Sequence, residues 1–535
     1  MSGPEASKLR RYRPARVCFL SGLFAATAYP PLYFLPGLIC GVWLLYGCAR
    51  QEASWQQAAF YGLVFGFGLN LGGLYWLTHA VLMGGRQFWW AVPLATPGCA
   101  LILAPFVAVP SLLARKFRFG WASILIFAGS WTLTDMSRIF LFSGFPWNPL
   151  GADLTFPGDG GTVLTQIASV IGVDGLTFCL VLTSAALFRV RRSLYVAALL
   201  WMFIAIYGYE RVHHLPLLPV QNPALVLVQN NVSEDHILSR DESGEVLQRS
   251  LMLTREGISI AHALFPDRDA VYAWPESGFP GLLDEAPFAR RQIAREAGGS
   301  WGIIGSDRRD DVGQWYNSAM ALDGEGEIAA IYDKSRLVPF GEYQPRFLPF
   351  NIMPGQFRPG PGLRTWQLPQ LGRVAPLVCY EVVFSGQVVT NPRPNWMLNL
   401  TNDAWFGASA GPWQHLMAVR LRAVEEGVPI AQVANTGLTA IFDAAGRRTG
   451  AIPQDKADIL AAPLPSPVKK TPFAIFGRSI PIFICLLSFL IALLTIRNAR
   501  KRKSSEGKFR SPSNLESRSR SHERKHKNPV CGLSD

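Results

Sequence analysis

Residues 376–384 read Pro-Leu-Val-Cys379-Tyr-Glu381-Val-Val-Phe, a short apolar run that ends in a cysteine and leads into residues compatible with a helix. Such a run predicts a buried strand that ends at Cys379. Cys379 is the only cysteine between Cys179 and Cys485, so it has no local disulfide partner. A lone cysteine is most often a small buried hydrophobe, but at a strand-to-helix corner it is also where a nucleophile is expected.

The composition of this 535-residue chain indicates a membrane protein. Hydrophobic residues make up 49% and charged residues 17%, with a mean hydropathy of +0.17, whereas soluble chains average about 25% charged residues. The net charge of +13 would also suit nucleic acid, but the excess lies in the tail and in short loops between hydrophobic segments. This distribution is typical of membrane topology, so we expect no nucleic-acid partner. The cysteines show no zinc-ligand spacing, and we expect no metal and no cofactor.

Hydrophobic segments predict about eight transmembrane helices. They are Val17–Tyr29, Leu32–Cys48, Ala58–Leu77, Phe88–Ala114, Trp121–Met136, Leu164–Phe188, Leu194–Tyr209 and Phe473–Ile496. The first segment, after a basic N-terminus, also fits a secretory signal peptide. The hydrophobic segments that follow at once favour a first membrane span instead.

Basic residues in the loops predict the orientation, because cytoplasmic loops are enriched in lysine and arginine. Arg50, residues 115–118 and residues 189–192 fall on the same side as the basic N-terminus, as does the tail from Arg497. Both termini are therefore predicted to be cytoplasmic and the large polar block to lie on the far side. The predicted parts are a membrane region of about seven helices (1–211), an extracytoplasmic domain (212–471), a C-terminal span (472–497) and a basic disordered tail (498–535).

The polar block alternates strand and helix patterns. Ala224–Val232 and Trp396–Leu400 are predicted strands, Val246–Leu264 is a predicted helix, and Ala319–Tyr332 is a predicted hairpin that turns at Asp323-Gly324. Strands and helices that alternate over about 260 residues fit one α/β sandwich domain.

Three stretches of this domain carry candidate catalytic residues at the ends of predicted elements. They are Ala273-Trp-Pro-Glu276-Ser-Gly, Tyr332-Asp-Lys334-Ser-Arg-Leu-Val-Pro-Phe-Gly-Glu342-Tyr and Cys379-Tyr380-Glu381. Lys334 is the only lysine between Lys116 and Lys456, and a chain that otherwise uses arginine is expected to keep a lysine where a compact charge is needed. Each residue also has an ordinary explanation, as a solvated glutamate, a surface lysine or a buried cysteine.

Together the three residues would make an acyl-transfer site. Glu276 would take the thiol proton of Cys379, and the thiolate would attack a carbonyl. Lys334 would stabilise the thiolate and then the oxyanion of the tetrahedral intermediate, with the backbone N–H after Cys379 as a second donor.

The motifs WPES, YDKSRLVPFGEY and PLVCYEVVF resemble the Glu-Lys-Cys motifs of the nitrilase (carbon–nitrogen hydrolase) superfamily. LVPFGE, CYE and residues 399–407 (NLTNDAWFG) are similar to its membrane-embedded branch, the apolipoprotein N-acyltransferases, as are GLYWL (73–77) and GFPW (144–147) in the hydrophobic half. The resemblance covers about residues 15–495. It implies an αββα nitrilase-like sandwich carried by the membrane helices.

The resemblance also implies roles for individual residues. The catalytic triad would be Glu276, Lys334 and Cys379. The supporting residues would be Glu342, Tyr380 and Glu381, and the substrate-region candidates Trp147, Asp403, Trp405 and Phe406.

The implied reaction has two steps. Cys379 would take an acyl chain from a phospholipid, with phosphatidylethanolamine as the expected donor. The acyl chain would then pass to the α-amine of the diacylglyceryl cysteine of apolipoproteins. The implied location is the bacterial inner membrane with a periplasmic catalytic domain, and we expect a monomer.

Two features depart from the family pattern. The loop after Gln229 lacks the tryptophan expected there, and the long basic tail is additional. Two other functions stay open, namely a membrane-tethered amidase, in which water attacks the thioester, and a transporter or scaffold that only binds. A transporter is disfavoured, because ionisable residues within the predicted spans are scarce.

Overall fold

The computed structural model describes residues 4–51, 54–83, 86–117, 120–189, 192–215, 223–232, 240–344 and 356–509. Most of the predicted basic tail, residues 510–535, lies outside these ranges, as does the greater part of the loop after Gln229, residues 233–239.

The first part of the chain is helical throughout. Its α-helices are α1 (Pro4–Ala25), α2 (Leu35–Gln51), α3 (Trp55–Gly73), α4 (Leu77–Met83), α5 (Val92–Leu103), α6 (Pro105–Lys116), α7 (Gly120–Ser137), α8 (Asp159–Thr165), α9 (Ala168–Ala186) and α10 (Arg192–His214).

Fewer of these helices can cross a bilayer alone than the eight predicted. Within the described residues four are long and apolar enough, namely Trp89–Lys116, Ala168–Ala186, Ser193–His214 and Ser479–Lys501. A fifth span results if α3 and α4, bent by 54°, count as one. The other predicted segments form helices that are too short or too polar. For example, the 17 residues of α2 reach only about 25 Å at 1.5 Å per residue, whereas the hydrocarbon core is about 30 Å thick.

Close backbone contacts hold the shorter helices against the longer ones. A Cβ added at Gly22 of α1 would lie 2.2 Å from the carbonyl oxygen of Phe65 in α3, and one at Gly68 would lie 2.5 Å from that of Phe19. Small residues at such crossings are typical of helices that associate in membranes, because they let the backbones approach. The first and third helices therefore pack as one unit.

The polar block contains twelve strands among its described residues. They are β1 (Ala224–Gln229), β2 (Ala270–Ala273), β3 (Gly302–Arg309), β4 (Trp315–Leu322), β5 (Ile328–Asp333), β6 (Trp366–Leu368), β7 (Gly372–Val378), β8 (Trp396–Thr401), β9 (Ile430–Ala434), β10 (Thr439–Phe442), β11 (Arg448–Ile452) and β12 (Asp458–Pro463). The helices are α11 (Arg240–Leu264), α12 (Pro287–Glu296) and α13 (Gly411–Glu426), followed by α14 (Pro472–Phe476) and α15 (Ser479–Phe509).

The strands form two six-stranded sheets packed face to face, in the orders β12-β1-β2-β3-β4-β5 and β11-β10-β9-β8-β7-β6. Side chains along β1 alternate between the layers, since Leu225 and Leu227 pack between the sheets while Val226 and Val228 pack with α11 and α12. Helix α13 covers the second sheet. The predicted αββα sandwich is therefore confirmed.

Two features of this part were not predicted. Strand β6 has three residues, β11 is mostly exposed and β12 is mostly half-buried, so their own residue patterns are weak and pairing with neighbours defines them. The last helix continues to Phe509, beyond residue 497 where the span was predicted to end and past Ser504 where disorder was predicted. A break at Gly477, with φ of 55°, separates α14 from α15.

Candidate active site

Cys379 stands where β7 ends and a short 3-10 helix, Cys379–Val383, begins. Its φ is 51°, a left-handed conformation that costs a non-glycine residue energy and is concentrated at functional sites. Glu381 stabilises this corner, because its Oε2 accepts the backbone N–H of Val378 at 2.9 Å and its Oε1 accepts that of Ser335 at 2.8 Å. Glu381 is buried and bound to backbone, so it braces the nucleophile turn and does not face an open site.

Glu276 follows β2 and is almost fully buried. Its Oε1 accepts the side-chain amide of Asn317 at 2.7 Å and lies 3.3 Å from Lys334 Nζ. Its Oε2 accepts the backbone N–H of Asn402 at 2.7 Å. These hydrogen bonds fix the carboxylate in position from three separate segments of the domain.

Lys334 follows β5 and is 1% exposed. Its Nζ lies 2.7 Å from Glu342 Oε1, and Glu342 Oε2 accepts the backbone N–H of Val338 at 2.8 Å. Burial alone would lower the pKa of Lys334, but Glu276 and Glu342 together raise the pKa well above its usual value. The lysine therefore carries a permanent positive charge between two carboxylates.

Cys379 is close enough to this cluster to be affected electrostatically. Burial and the neighbouring Glu276 carboxylate raise the pKa of the Cys379 thiol well above its ordinary value, while Lys334 lowers the pKa. The resting residue is thus a thiol, and it needs a base to become a nucleophile. Glu276 is the carboxylate that acts most strongly on this thiol.

The aromatic candidates form a cluster beside the nucleophile turn. Trp147 stacks on Tyr380 with ring centroids 6.1 Å apart and lies 5.8 Å from Phe406, and the Tyr380 hydroxyl donates to the carbonyl of Gly144 at 2.8 Å. Trp147 and Tyr380 are buried, whereas Trp405 is 43% exposed and stands outside the cluster. The structure thus brings three of the four aromatic candidates together.

The chain segment around Lys334 also contacts the membrane-region loop that carries Trp147. The Ser143 hydroxyl donates to the carbonyl of Leu337 at 2.8 Å, and the rings of Phe142 and Phe340 lie 5.6 Å apart. The candidate site therefore faces the helical region of the chain.

Four residues at the site were missed from the sequence: Asn317, Thr401, Gln414 and His415. Asn317 Nδ2 bridges Glu276 and Glu342, and Gln414 Oε1 accepts the indole N–H of Trp147 at 2.9 Å. Gln414 and His415 lie at the start of α13, outside every motif that suggested catalysis and seven or more residues beyond the NLTNDAWFG stretch at 399–407. The sequence signal for Gln414 and His415 is that they are polar residues on a helix whose other residues are mostly buried.

Asp403 is placed differently from a substrate-contacting side chain. It is 1% exposed, and its Oδ1 lies 2.9 Å from His415 Nδ1 and accepts the Thr401 hydroxyl at 2.9 Å. One oxygen, nitrogen or sulfur atom from each of Cys379, Asp403 and His415 lies within 4.8 Å of the others, the one such group of potential metal ligands among the described residues. Zinc accepts these ligand types, but the two ring nitrogens of His415 already lie 2.9 and 3.0 Å from oxygens, so the geometry favours hydrogen bonding.

The described part of the loop after Gln229 is held to the second sheet. The backbone N–H of Asn231 donates to the carbonyl of Asn435 at 3.2 Å, and that of Val232 donates to Asn435 Oδ1 at 2.7 Å. The tryptophan expected in this loop is absent from the sequence, and residues 233–239 lie outside the described ranges.

A buried cysteine, glutamate and lysine on an αββα sandwich joined to apolar helices define the class as a membrane-bound member of the nitrilase superfamily. Family models agree with this class. The model of the apolipoprotein N-acyltransferase N-terminal domain matches residues 21–186, and the carbon–nitrogen hydrolase model matches residues 269–472.

Curated relatives narrow the class to one family. An apolipoprotein N-acyltransferase of Rhodopseudomonas palustris is 34% identical, with 91% of this chain and 96% of that protein covered. Those of Allorhizobium ampelinum and Brucella melitensis are 35% and 32% identical, covering 82% and 91% of this chain and 87% and 95% of theirs. This chain belongs to the apolipoprotein N-acyltransferase family, and the resemblance inferred from its motifs is confirmed.

Solved structures similar to this chain include two that match about half of it. A cysteine-to-alanine variant of the Nesterenkonia AN1 amidase from the nitrilase superfamily has a TM-score of 0.36 and 19% identity, over 49% of this chain and 97% of that one. A carbon–nitrogen hydrolase from Helicobacter pylori has a TM-score of 0.35 and 14% identity, over 45% of this chain and 88% of that one.

Proposed function

We propose that this protein transfers a fatty acyl chain from a membrane phospholipid to the α-amino group of the diacylglyceryl cysteine of apolipoproteins, through a thioester on Cys379. The observation that carries the proposal is the convergence of Glu276, Lys334 and the strained Cys379 beside the membrane helices. Family membership supplies the substrate classes.

The first step makes the thioester. Glu276 takes the thiol proton, and the Cys379 sulfur attacks the ester carbonyl of the phospholipid. The charge on the carbonyl oxygen is stabilised by Lys334 Nζ and by the backbone N–H of Tyr380. The carbon–oxygen bond then breaks, Glu276 returns the proton to the leaving alkoxide, and a lysophospholipid departs.

The second step makes the amide. The neutral α-amine of the acceptor attacks the thioester carbonyl, the same two donors stabilise the oxyanion, and the carbon–sulfur bond breaks. Glu276 accepts the proton that the amine loses and passes it to the Cys379 thiolate, which restores the resting thiol and carboxylate. Glu342 and Asn317 hold the side chains of Lys334 and Glu276 in position through both steps.

Both substrates are bilayer-anchored, so the site must remain at a membrane surface. We place the sandwich, residues 212–471, on the periplasmic side of the bacterial inner membrane, with both termini in the cytoplasm, from the basic residues of the short loops. The shorter apolar helices α1, α2 and α7 would complete about eight spans within the packed bundle. Phosphatidylethanolamine is the expected donor, and the protein is expected to act as a monomer.

A membrane-tethered amidase or hydrolase is the competing function, because the same thioester can be attacked by water. The observation that favours transfer is the contact between the site and the helical region, through Tyr380 and Gly144 and through Ser143 and Leu337. An enzyme that hydrolyses a small soluble amide would not need an active site in contact with the helical region.

The decisive experiment traps the acyl-enzyme. Full-length protein in detergent micelles receives phosphatidylethanolamine with a labelled acyl chain, and mass spectrometry locates a hydroxylamine-sensitive adduct on Cys379. A diacylglyceryl peptide or buffer alone is then added. Label on the peptide amine supports transfer, and equally fast release of free fatty acid in buffer supports hydrolysis.

The matched variant is Cys379→Ala, compared with alanine at Cys179, which is buried in α9 away from the site. Cys379→Ala should give no adduct and no N-acylated peptide, while the protein still inserts in the membrane. Full transfer by Cys379→Ala, or no adduct on the unaltered protein, would refute the thioester mechanism.

A further inference from the structure

Asp403 and His415 form a second buried polar pair beside Cys379, separate from the cluster around Lys334. Both side chains are fully or almost fully buried, and His415 Nδ1 lies 2.9 Å from Asp403 Oδ1. One proton lies between these two atoms. Whether it is on the imidazole or on the carboxyl group, the pair has no net charge, which makes complete burial tolerable.

The other ring nitrogen of His415 reaches the backbone of the nucleophile. Nε2 lies 3.0 Å from the carbonyl oxygen of Cys379, and because a carbonyl can only accept, Nε2 must carry a proton and donate. This hydrogen bond fixes the residue whose φ of 51° is unfavourable. His415 therefore holds the backbone of Cys379 in its strained conformation.

Asp403 lies beside the side chain of the same cysteine. A carboxylate oxygen of Asp403, a ring nitrogen of His415 and the Cys379 sulfur all lie within 4.8 Å of one another. The Thr401 hydroxyl donates to Asp403 Oδ1 at 2.9 Å, so a chain of hydrogen bonds runs from Thr401 through Asp403 and His415 to the Cys379 carbonyl. The buried pair therefore holds the backbone of the nucleophile and lies against its sulfur.

This geometry excludes His415 as the base that takes the thiol proton. Nε2 is protonated and committed to a carbonyl, and Nδ1 faces the Asp403 carboxyl group. Neither nitrogen has a free lone pair directed at the sulfur. Glu276 therefore remains the residue that transfers the proton. The Asp403–His415 pair can contribute only by positioning Cys379.

We propose that Asp403 and His415 are positioning residues that hold the Cys379 sulfur in line for attack on the acyl carbonyl. They contact neither substrate. The inference rests on the proposed function, because the pair assists that reaction. The position of the Cys379 thiol can nevertheless be tested without acyl transfer. A displacement of about 1 Å at a nucleophile can cost about a hundredfold in rate, so removal of the pair should slow the chemical step and leave donor binding unchanged.

Two conservative variants of His415 separate the two hydrogen bonds. In His415→Gln the amide nitrogen can occupy the place of Nε2 and still donate to Cys379, whereas in His415→Asn it can reach only the place of Nδ1. We expect His415→Asn to lower kcat about a hundredfold with KM for the phospholipid within about twofold, and His415→Gln to retain kcat within about tenfold.

Threonine-to-valine exchange tests the Thr401 end of this chain of hydrogen bonds. Thr401→Val removes the hydroxyl that donates to Asp403 Oδ1 and should lower the rate of thioester formation. Thr132→Val is the control, because the Thr132 hydroxyl is equally buried, donates to the Ala128 carbonyl of its own helix and lies near Cys485 instead of Cys379. The control should match the unaltered protein.

Gly437 offers a variant that moves Asp403 without changing any polar group. A Cβ at position 437 would lie 2.4 Å from Asp403 Oδ2, so Gly437→Ala must displace the carboxylate. It should slow thioester formation in the same direction as Thr401→Val. Unchanged kinetics in a folded Gly437→Ala protein would contradict the proposal.

A second readout does not depend on acyl transfer. The rate at which iodoacetamide alkylates Cys379 is followed by peptide mass spectrometry, with melting temperature measured on the same samples. His415→Asn and Thr401→Val should change this rate severalfold more than His415→Gln and Thr132→Val do.

The outcomes distinguish this inference from the proposed function. If the unaltered protein forms no thioester but alkylation follows the predicted order, the acyltransferase proposal fails and the positioning role stands. If the two His415 variants lose equal activity in proportion to their loss of melting temperature, the pair is structural only and the inference is overturned. An effect on KM alone would overturn it as well.

Discussion

Two buried ion-pair clusters in this protein look alike and behave differently. In the first, Lys334 lies between Glu276 and Glu342, so two carboxylates share one cation. In the second, Arg422 Nε lies 2.7 Å from Glu425 Oε2 on α13. Both clusters are buried, and both join separate segments of the chain.

The difference lies in the charge balance of each cluster and in what lies beside its carboxylate, since Glu276 and Glu425 each have three partners. Glu425 accepts the Ser385 hydroxyl at 2.9 Å and the backbone N–H of Val173 at 2.8 Å, which ties the nucleophile turn and α13 to membrane helix α9. Glu276 shares the single positive charge of Lys334 with Glu342, so this cluster has an excess carboxylate, and Glu276 lies beside the Cys379 thiol. A buried ion pair alone indicates neither catalysis nor stability. An excess carboxylate charge next to the Cys379 thiol is what separates the first cluster from the second.

The largest expected effect is that of Glu276→Gln. Glutamine keeps an oxygen for the Asn402 N–H but cannot accept the thiol proton, so acyl transfer should fall about 10²- to 10⁴-fold, the usual contribution of general base catalysis. The measurement is the rate of thioester formation from labelled phospholipid.

Glu425→Gln is the control for that variant, because it makes the same exchange in the second cluster. It should keep activity per folded molecule within about threefold while lowering the melting temperature. Equal loss of activity from both variants would mean that the comparison between the clusters is mistaken.

The next effect is on stability. Arg422→Met leaves Glu425 buried without its cation, and breaking one side of a buried pair typically costs about 3–5 kcal/mol. We expect a clearly lower melting temperature in detergent and near-normal kcat for the molecules that remain folded. A loss of kcat with no thermal destabilisation would place Arg422 in the catalytic machinery instead.

A smaller effect depends on pH. Burial, together with the neighbouring Glu425, raises the pKa of Glu426 from 4.5 to about 7. Between these values the folded protein holds a proton that the unfolded chain has lost, so the contribution of Glu426 to stability decreases as pH rises and is lost above about 7. One pKa unit corresponds to about 1.4 kcal/mol, which limits the effect to about 3 kcal/mol.

Glu426→Gln should remove this dependence. Its melting temperature relative to the unaltered protein should rise from pH 5 to pH 8, and exposed Glu325→Gln controls for the loss of one carboxylate. A constant difference across that range would contradict the assigned direction.

The sandwich and the triad residues could be predicted from the sequence because each has a local signal. Apolar runs predicted most of the strands. Cys379 is the only cysteine, and Lys334 the only lysine, over a long stretch of sequence. Strands β11 and β12 have only a weak signal, since they are partly solvent-exposed and their partner strands define them. His415 was missed for a similar reason, because its contact with Cys379 depends on how α13 packs against the turn after β7.

The helical half of the chain shows where prediction from hydrophobicity fails. Hydrophobicity placed the predicted segments in helical parts of the chain, but the four or five helices long and apolar enough to cross a bilayer are fewer than the eight predicted. The bend between α3 and α4 and the close approach of α1 to α3 have no signal in hydrophobicity, because they depend on the three-dimensional arrangement of the helices.

The smallest expected effect concerns the contact between the two halves. Tyr380→Phe removes the hydroxyl that donates to the Gly144 carbonyl at 2.8 Å but keeps the ring stacked on Trp147. Loss of one such hydrogen bond costs about 1 kcal/mol, so we expect a small drop in melting temperature and a decrease in kcat of less than about tenfold. A loss as large as that of Glu276→Gln would mean that this hydroxyl, and not the carboxylate cluster alone, takes part in the proton transfers at Cys379.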